Sequence, residues 1–377
     1  MRILFSGSLD VNTGGPAMST YLTMVGLQWC GVWTEIIQYP LSPKGRLWGD
    51  EARVTFASKP WEHKLGYSHR LKDEIAVMGD FDIYHAQGIW QYPTYALIDV
   101  AKREGKPYLL TLHGMLYPQD IAKSSTFFKK LSLKWRLLKD LNQAACVHCT
   151  CEEEMRHCRD LGVTAPIAVI TNPIEIKSYP YQKEDTVRRI GYLGRVSPRK
   201  KVERLIYAFS ELGEKAKDAE LLIIGGGDAA YEAFLKNEVK RLNLNNVRFT
   251  GFLSGEEKNK AIASCSVIAN PSDFENLGMV ILEGLVRGVP CIATTGSPWE
   301  NLLKHQCGWW VSCEQKDITT AVLDAISATD DTLKAMGERG MLLVKQEYSV
   351  QYVAEQMKLL YNWILNIGEK PKFVYEK

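Results

Sequence analysis

The stretch from Asp273 to Glu283, Asp-Phe-Glu-Asn-Leu-Gly-Met-Val-Ile-Leu-Glu, narrows what this chain can fold into more than any other. An apolar run, Ser266-Val-Ile-Ala-Asn270, precedes it and is broken at Pro271. A helix-like segment follows and stops at Gly288-Val-Pro290, before a second apolar run at Cys291-Ile-Ala293. Breakers at both boundaries, with an apolar run on each side, read as strand, loop, helix, strand. That is a crossover unit of a parallel sheet. Glu275 lies in its loop and Glu283 inside its helix. Between them Asn276, Leu277 and Gly278 put backbone N–H groups at a helix start, where the partial positive charge of the helix dipole favours an anion. Spacing alone leaves two readings open: a phosphate held between carboxylates that grip hydroxyls, or an ordinary crossover with both glutamates in water.

The same alternation extends over the second half. Strand-like Arg189 to Gly194 is followed by a helical pattern from Val202 to Lys215, strand-like Glu220 to Ile224 by a helix from Tyr231 to Arg241, and further strands are expected at 246–249, 266–270 and 290–294. This predicts a doubly wound parallel sheet. Between its first strand and helix lies Gly194-Arg195-Val-Ser-Pro-Arg199-Lys200-Lys201. Arg195 offers a bidentate fork and Lys200 a point charge at the sheet edge, a combination suited to a diphosphate as well as to a solvated basic turn. Gly225-Gly226-Gly227 lacks the Lys-Ser/Thr ending of a P-loop and reads as a turn over which a flat base can approach the backbone.

The first half repeats the theme. Residues 2–6 read as a buried strand, and Asn12-Thr-Gly14-Gly15-Pro opens a helix reaching about Cys30. Glycines at a strand-to-helix turn admit a phosphate or sugar, or simply make a tight turn. Val32 to Tyr39 reads as a strand; residues 40–66, with Trp48, Phe56 and Trp61, follow no regular period. Exposed indoles there suit stacking on sugars, or cap the core. Phe81 to His85 and Pro107 to His113 read as strands ending in histidine, which puts His85 and His113-Gly114 at the functional edge of the sheet. Strands are also expected over 144–151 and 167–171. Asn172-Pro173-Ile174 then leads into a polar stretch, Lys177 to Arg189, that marks the domain boundary. The division is 1–175 and 176–349, with a closing helix over about 350–370. Two α/β domains fit 377 residues, and their facing sheets are expected to leave a cleft.

Forty-six basic against 44 acidic side chains give +2, so no global field argues for nucleic acid. The N-terminus meets a Gly-rich turn too early for a secretory signal, and no apolar run approaches the ~18 residues of a membrane span, so a cytoplasmic protein is expected. Nine cysteines, an odd number, suggest no disulfide framework. Cys146, His148, Cys149, Cys151, His157 and Cys158 have ligand types that suit zinc, but alternation along a strand turns the first two away from the next two, and no metal site is expected. Over Ile121 to Leu141, Phe127, Phe128, Leu131, Trp135 and Leu138 recur at helical spacing among Lys123, Lys129, Lys130, Lys134, Arg136 and Lys139. Such a helix lies on an anionic membrane surface, or packs in the core with a solvated basic face.

Gly194-Arg195 with Lys200, Pro271-Ser272, the Glu275 and Glu283 pair, Gly288-Val-Pro290 and Gly296 with Glu300 stand in the order found in retaining glycosyltransferases of family 4, which have the GT-B fold, and the chain resembles that family. Asn172-Pro173-Ile174 resembles its interdomain junction; Gly14-Gly15, Asp82 to Trp90 and Thr111 to Gly114 resemble its N-terminal landmarks more loosely. The resemblance implies that Arg195 and Lys200 neutralise the diphosphate of a UDP- or GDP-sugar. Glu283 would hold the ribose hydroxyls, while Glu275 and the amides of Asn276, Leu277 and Gly278 would hold sugar and phosphate. His113 would approach the sugar from the N-terminal, acceptor-binding domain, and Gly15 would let acceptor or phosphate lie close. The closing helix would pack back on that domain. No cofactor or metal is implied, and the acceptor would be a saccharide or lipid-linked saccharide, with peripheral contact on the inner membrane face. Trp299 and Cys307-Gly-Trp-Trp310 resemble a subset building bacterial surface polysaccharides such as O-antigen or capsule. The chain departs from the family at Lys201 and Asn276, where glycine is usual. A sugar-nucleotide epimerase and a non-catalytic binding module remain as alternatives.

Overall fold

In the computed structural model, which describes residues 1–61, 65–122, 126–177, 179, 183 and 185–377, the first strand divides its side chains between two layers. Ile3 and Phe5 of β1 (Arg2–Ser6) enter one core, while Leu4 between them enters the other. That alternation, with Ile3, Leu4 and Phe5 all apolar, is what a strand covered on both faces requires. The strands that follow are β2 (Trp33–Gln38), β3 (Arg53–Phe56), β4 (Ile83–Gln87), β5 (Tyr108–Thr111), β6 (Cys146–Cys149) and β7 (Ile167–Val169). Then come β8 (Arg188–Leu193), β9 (Ala219–Ile224), β10 (Val247–Gly251), β11 (Val267–Asn270), β12 (Cys291–Thr294), β13 (Gly308–Val311) and β14 (Val374–Tyr375).

The chain divides into two compact units, Met1–Glu175 with Ser349–Lys377 and Ile176–Tyr348. The first holds a sheet in the order β14-β7-β6-β5-β4-β1-β2-β3, parallel except where β14 runs antiparallel to β7. Its second core face is closed by the helices Gly15–Trp29 and Val350–Ile364, which bury Met24, Val353, Met357 and Leu360 together. Gly26 is needed at their contact, because a Cβ there would lie 2.8 Å from the Ala354 Cβ.

The second unit holds a parallel sheet in the order β10-β9-β8-β11-β12-β13, covered on one face by the helices Glu203–Leu212 and Gln315–Ser327. Each sheet reverses its winding once, between β1 and β4 in the first unit and between β8 and β11 in the second. In doubly wound sheets ligands bind beyond the carboxyl ends of the strands at that reversal.

Three details differ from the sequence reading. Residues 53–56, inside the stretch expected to be irregular, form the edge strand β3 alongside β2. The polar tail supplies β14. And β4 runs two residues further than expected, so Gln87 instead of His85 ends the strand. Of the expected basic helix, Lys123 lies outside the described residues, as does the Phe128 side chain. Residues 124–125 also lie outside them; Ile121 belongs to a separate short helix, Pro118–Ala122, and the stretch from 126 onward forms Thr126–Ser132, a π-helical turn Leu133–Leu137, and Leu138–Asn142. Among the described residues no helix is long and apolar enough to cross a membrane.

Candidate active site

In the second unit the reversal brings two loops together. After β8 the chain passes Gly194 and Arg195, pinned from both sides. The Tyr192 hydroxyl donates to the Arg195 carbonyl at 2.8 Å, the Val196 amide donates to the Gly226 carbonyl at 3.2 Å, and the Asp228 amide to the Val196 carbonyl at 2.9 Å. Burial and the neighbouring Glu275 carboxylate push the Tyr192 phenol well up, which keeps it a donor. The glycines after β9 serve this packing. A Cβ on Gly225 would lie 1.9 Å from the Gly194 carbonyl oxygen, and one on Gly227 would lie 2.3 Å from that of Val196. Gly226 is less crowded, its nearest neighbour being Glu232 Oε1 at 3.4 Å. Gly225 and Gly227 therefore serve loop-on-loop contact, a role additional to the expected approach of a base.

The Arg195 side chain is exposed and makes no ion pair among the described residues. Lys200 closes a short 3₁₀ turn, Pro198–Lys200, and its ammonium is ion-paired with Glu275 Oε1. Lys201 takes the left-handed backbone, φ 53°, that ends this turn, which is why glycine suits the position. Asn276 shows no positive φ; the left-handed residue at the start of the next helix is Gly278, φ 74°. A glycine is thus unnecessary at 276.

Beyond β11, Glu275 is fixed from several directions. Its Oε1 accepts from the Ser272 hydroxyl at 3.0 Å and faces the Asn270 amide nitrogen at 3.5 Å, and its own amide donates to the Gly296 carbonyl at 2.7 Å. Gly296 cannot bear a side chain, since a Cβ would lie 2.3 Å from the Asp273 carbonyl oxygen. Asp273 pairs with Arg204 at 2.5 Å. The Trp299 indole, fully buried, donates to the Leu277 carbonyl and so fixes the turn that leads into the helix Met279–Leu285. Glu283, inside that helix, is paired with Lys258. Lys200 and Glu275 are therefore in contact, Leu277 and Gly278 follow Glu275 at the helix start, and Glu283 lies one turn further along, turned to a different lysine.

In the first unit, Gly15 begins the helix Gly15–Trp29 just after Gly14, φ 76°. His113 follows β5 in left-handed backbone, φ 52°, with Gly114 at φ 76°. The Gly114 amide donates to the Glu154 carboxylate, which also accepts from the Thr150 amide at 2.6 Å. Glu154 is buried, a placement that its position in Glu152-Glu153-Glu154 at a helix start did not reveal. The half-buried His113 ring contacts Gln87 through Nε2 at 2.8 Å, and burial with the nearby His148 pushes its pKa down to about 3.

His85 does not stand at the sheet edge. It is buried in mid-strand, with Nδ1 2.8 Å from the Tyr361 hydroxyl and Nε2 2.6 Å from the Thr111 hydroxyl. The longer β4 puts Gln87 where His85 was expected. His148 is likewise engaged at both nitrogens, by Thr111 at 2.8 Å and the Ile170 carbonyl at 2.7 Å. Cys149 lies 3.7 Å, sulfur to sulfur, from Cys158.

Two family models cover most of the chain: "Glycosyltransferase Family 4" matches residues 40–178, and "Glycosyl transferases group 1" matches residues 174–342. The chain belongs to the family 4 glycosyltransferases. It is 31% identical over 182 residues to a GDP-mannose-dependent monoacylated alpha-(1-6)-phosphatidylinositol monomannoside mannosyltransferase of Corynebacterium glutamicum. That match spans 46% of this chain and 46% of the relative, less than half of its length. It is 23% identical to the phosphatidyl-myo-inositol mannosyltransferase of Mycobacterium tuberculosis, over 80% of this chain and 79% of that one. The sucrose-phosphate synthase of Thermosynechococcus elongatus superposes with a TM-score of 0.76 at 18% identity, over 97% of this chain and 99% of that chain. The family 4 chain thus has the two α/β domains of the GT-B fold, as its motif order implies.

Proposed function

We propose that this family 4 protein is a retaining, metal-independent glycosyltransferase that moves a sugar from a UDP- or GDP-sugar to a saccharide acceptor carried on a lipid, in the assembly of a surface glycolipid or polysaccharide. The observation that carries the reading is the ion pair of Lys200 with Glu275 at the β8/β11 reversal, on the loop that also bears Arg195 and ahead of the Leu277 and Gly278 amides. Negative charge builds on the diphosphate as the glycosidic bond breaks. Preorganised cations at that edge stabilise the leaving group more in the transition state than in the ground state. Arg195 is assigned to the diphosphate as a fork and Lys200 as a point charge, Glu275 with the Asn276, Leu277 and Gly278 amides to sugar and phosphate, and Glu283 to the ribose. Each of the two carboxylates exchanges its lysine for substrate groups. His113 is assigned to the transferred sugar and Gly15 to close approach of acceptor or phosphate. The acceptor hydroxyl attacks on the face the diphosphate leaves, and its proton passes to the departing phosphate oxygen.

A lipid acceptor is supported by the helix over 126–142. Phe127, Leu131 and Trp135, four residues apart, are 72%, 42% and 76% exposed, so this apolar stripe faces solvent and the core is served instead by Leu137 and Leu141. Lys130, Lys134 and Lys139 are exposed on the same segment, whereas Arg136 is turned inward to Asp99 and Asp140. Exposed aromatics among lysines suit the headgroup region of an anionic membrane. Both mannosyltransferase relatives are named for activity on phosphatidylinositol derivatives, which supports the same acceptor class.

The test is a thermal-shift panel of UDP-, GDP-, ADP- and dTDP-sugars, with and without EDTA, on wild type and Arg195→Ala. A donor that binds the folded state raises its stability by mass action. A shift with one nucleotide class, indifferent to EDTA and lost in the variant, is expected. No shift with any of them sinks the reading.

A further inference from the structure

The hydrogen bonds beneath His113 form a continuous chain, and counting their protons decides which nitrogen of that ring is protonated. The chain starts at the Ile170 carbonyl, which can only accept, so His148 Nε2, 2.7 Å away, carries a proton. Burial holds the His148 pKa down to about 4, so the ring is neutral and its Nδ1 accepts from the Thr111 hydroxyl at 2.8 Å. Thr111 has then spent its one proton. Its 2.6 Å contact with His85 Nε2 must be closed by a proton on that nitrogen, which leaves His85 Nδ1 to accept from the Tyr361 hydroxyl at 2.8 Å.

Gln87 is the next member. Its Nε2 stands 3.1 Å from His85 Nε2 and its Oε1 stands 2.8 Å from His113 Nε2. With His85 Nε2 protonated, two N–H donors would face each other across 3.1 Å. The two ends of an amide have one outline and are told apart by the protons around them. Exchanging them makes every contact productive. The Gln87 carbonyl accepts from His85, and its NH₂ group donates to His113 Nε2 and to the Thr20 hydroxyl oxygen, 3.3 Å away, whose own proton goes to the Pro16 carbonyl at 2.8 Å. The opposite proton order requires both His148 nitrogens to be protonated, hence a cation in the core. The ionisable groups that bear on His85 are His148 and His113, neither of them a carboxylate, and burial dominates at His148. A cation there has no counter-charge to hold it.

We propose that His148, Thr111, His85 and Gln87 are positioning residues that lock His113 as the tautomer protonated on Nδ1, so that the ring presents a hydrogen-bond donor to an oxygen of the transferred sugar. The proposal rests on the assignment of His113 to that sugar. The backbone of the ring is set separately, by the Gly114 amide bound to Glu154 and by the left-handed turn at His113. Among the described residues Nδ1 has no hydrogen-bond partner, which leaves it for substrate. A ring whose remaining nitrogen, Nδ1, is protonated cannot take the proton of the acceptor hydroxyl. That proton then leaves with the departing phosphate oxygen, and His113 polarises the sugar instead of acting as its base.

The experiment is long-range ¹H–¹⁵N correlation spectroscopy of the full chain with labelled histidine rings, His113 being assigned from the signal lost in His113→Gln. A neutral His113 protonated on Nδ1 and a neutral His148 protonated on Nε2 are expected; His113 protonated on Nε2, or a charged His148, overturns the proposal. Gln87→Glu places a group that only accepts beside His113 Nε2 and should move the proton there. It should also lower kcat roughly tenfold, the worth of one hydrogen bond, with KM for the nucleotide-sugar little changed. A Gln87→Glu variant in which the tautomer does not move also overturns the lock. An inverted tautomer with unchanged kcat supports the lock and instead retires the assignment of His113 to the sugar.

Discussion

Lys200 Nζ is ion-paired with Glu275 Oε1, although 75 positions separate them in sequence. Glu275 is in turn bonded to Ser272 and Asn270, so the lysine is held against a rigid acceptor instead of reaching freely into solvent. Arg195, exposed and without an ion pair, has no such restraint. On the proposed reading, a diphosphate would meet Arg195 directly but would have to displace Glu275 to reach Lys200.

Arg195→Ala and Lys200→Ala are each expected to lower turnover at least ~100-fold, by analogy with the loss of one charge-stabilising donor. Only Lys200→Ala also leaves Glu275 without its cation, so that variant alone should lose stability as well. Initial rates of nucleotide release from folded variants check the first statement, and urea unfolding checks the second. Near-normal rates in either variant would remove its role at the leaving group.

The proposed membrane contact through the 126–142 helix makes a salt-dependent prediction. Changing Lys130 and Lys134 to Gln removes about 1 kcal/mol of attraction each at an anionic surface. Changing Phe127 and Trp135 to Ser removes apolar contact that salt does not screen. The first pair should weaken sedimentation with phosphatidylglycerol vesicles at low salt, and the second at all salt concentrations. Lys129 is a poorer target, because it donates to the Asp120 carbonyl at 2.6 Å and lies over the Trp90 ring. Unchanged binding in both pairs retires the membrane contact.

Lys201 holds left-handed backbone at φ 53°. Left-handed geometry costs a non-glycine residue roughly 1–2 kcal/mol, and glycine gives back roughly 0.5–1 of that in unfolded-state entropy. Lys201→Gly should therefore stabilise the protein by up to about 1.5 kcal/mol, read from urea unfolding. A loss of stability would mean that the weak 3.9 Å pairings of Lys201 with Glu203 and Asp273 outweigh the strain.

The buried histidines make folding sensitive to mild acid. Burial holds His85 well below its ordinary range and His148 down to about 4. As pH falls below about 6.5 the unfolded chain takes up protons on these rings and the folded chain does not, so stability declines. The slope is at most about 1.4 kcal/mol per pH unit for each ring. The decline continues until the pH reaches the folded values. Unfolding free energies measured between about pH 7.5 and about pH 5 should show it, with a shallower slope in His148→Gln. A flat profile would contradict neutral, buried rings.

What the sequence revealed follows from which residues carry a pattern. β1 and β11 each carry three consecutive apolar residues, Ile3 to Phe5 and Val267 to Ala269, because both faces are covered, and they stand out; β3, Arg-Val-Thr-Phe at a sheet edge, needs no such run and was hidden in an irregular stretch. The grouping of Lys200 with Glu275 came from resemblance, since no periodicity links loops so far apart. Gln87 was invisible because a glutamine at a strand end carries no signal of its own, and a two-residue error in the end of β4 put His85 in its place. Glu154 was hidden among acidic neighbours that do face water. Gly225 and Gly227 were noticed, but what fills the space beside them is backbone from another loop, which only the fold brings near.

Trp299 anchors the Leu277-Gly278 turn that is proposed to hold the donor. Its ring stacks on Tyr348 with centroids 5.4 Å apart and planes at 24°, and its indole N–H donates to the Leu277 carbonyl. Trp299→Phe keeps an aromatic ring at the stack but leaves a buried carbonyl without that donor, a loss of about 1–3 kcal/mol. Trp299→Ala removes the ring as well, for about 3–5 kcal/mol. If the Leu277-Gly278 turn holds the donor, the Phe variant should also raise KM for the nucleotide-sugar at temperatures well below its Tm, because the turn loses its anchor while the fold survives. Tm and KM measured on the same preparation separate the two effects. A lower Tm with unchanged KM would confine Trp299 to packing and remove the turn from donor binding.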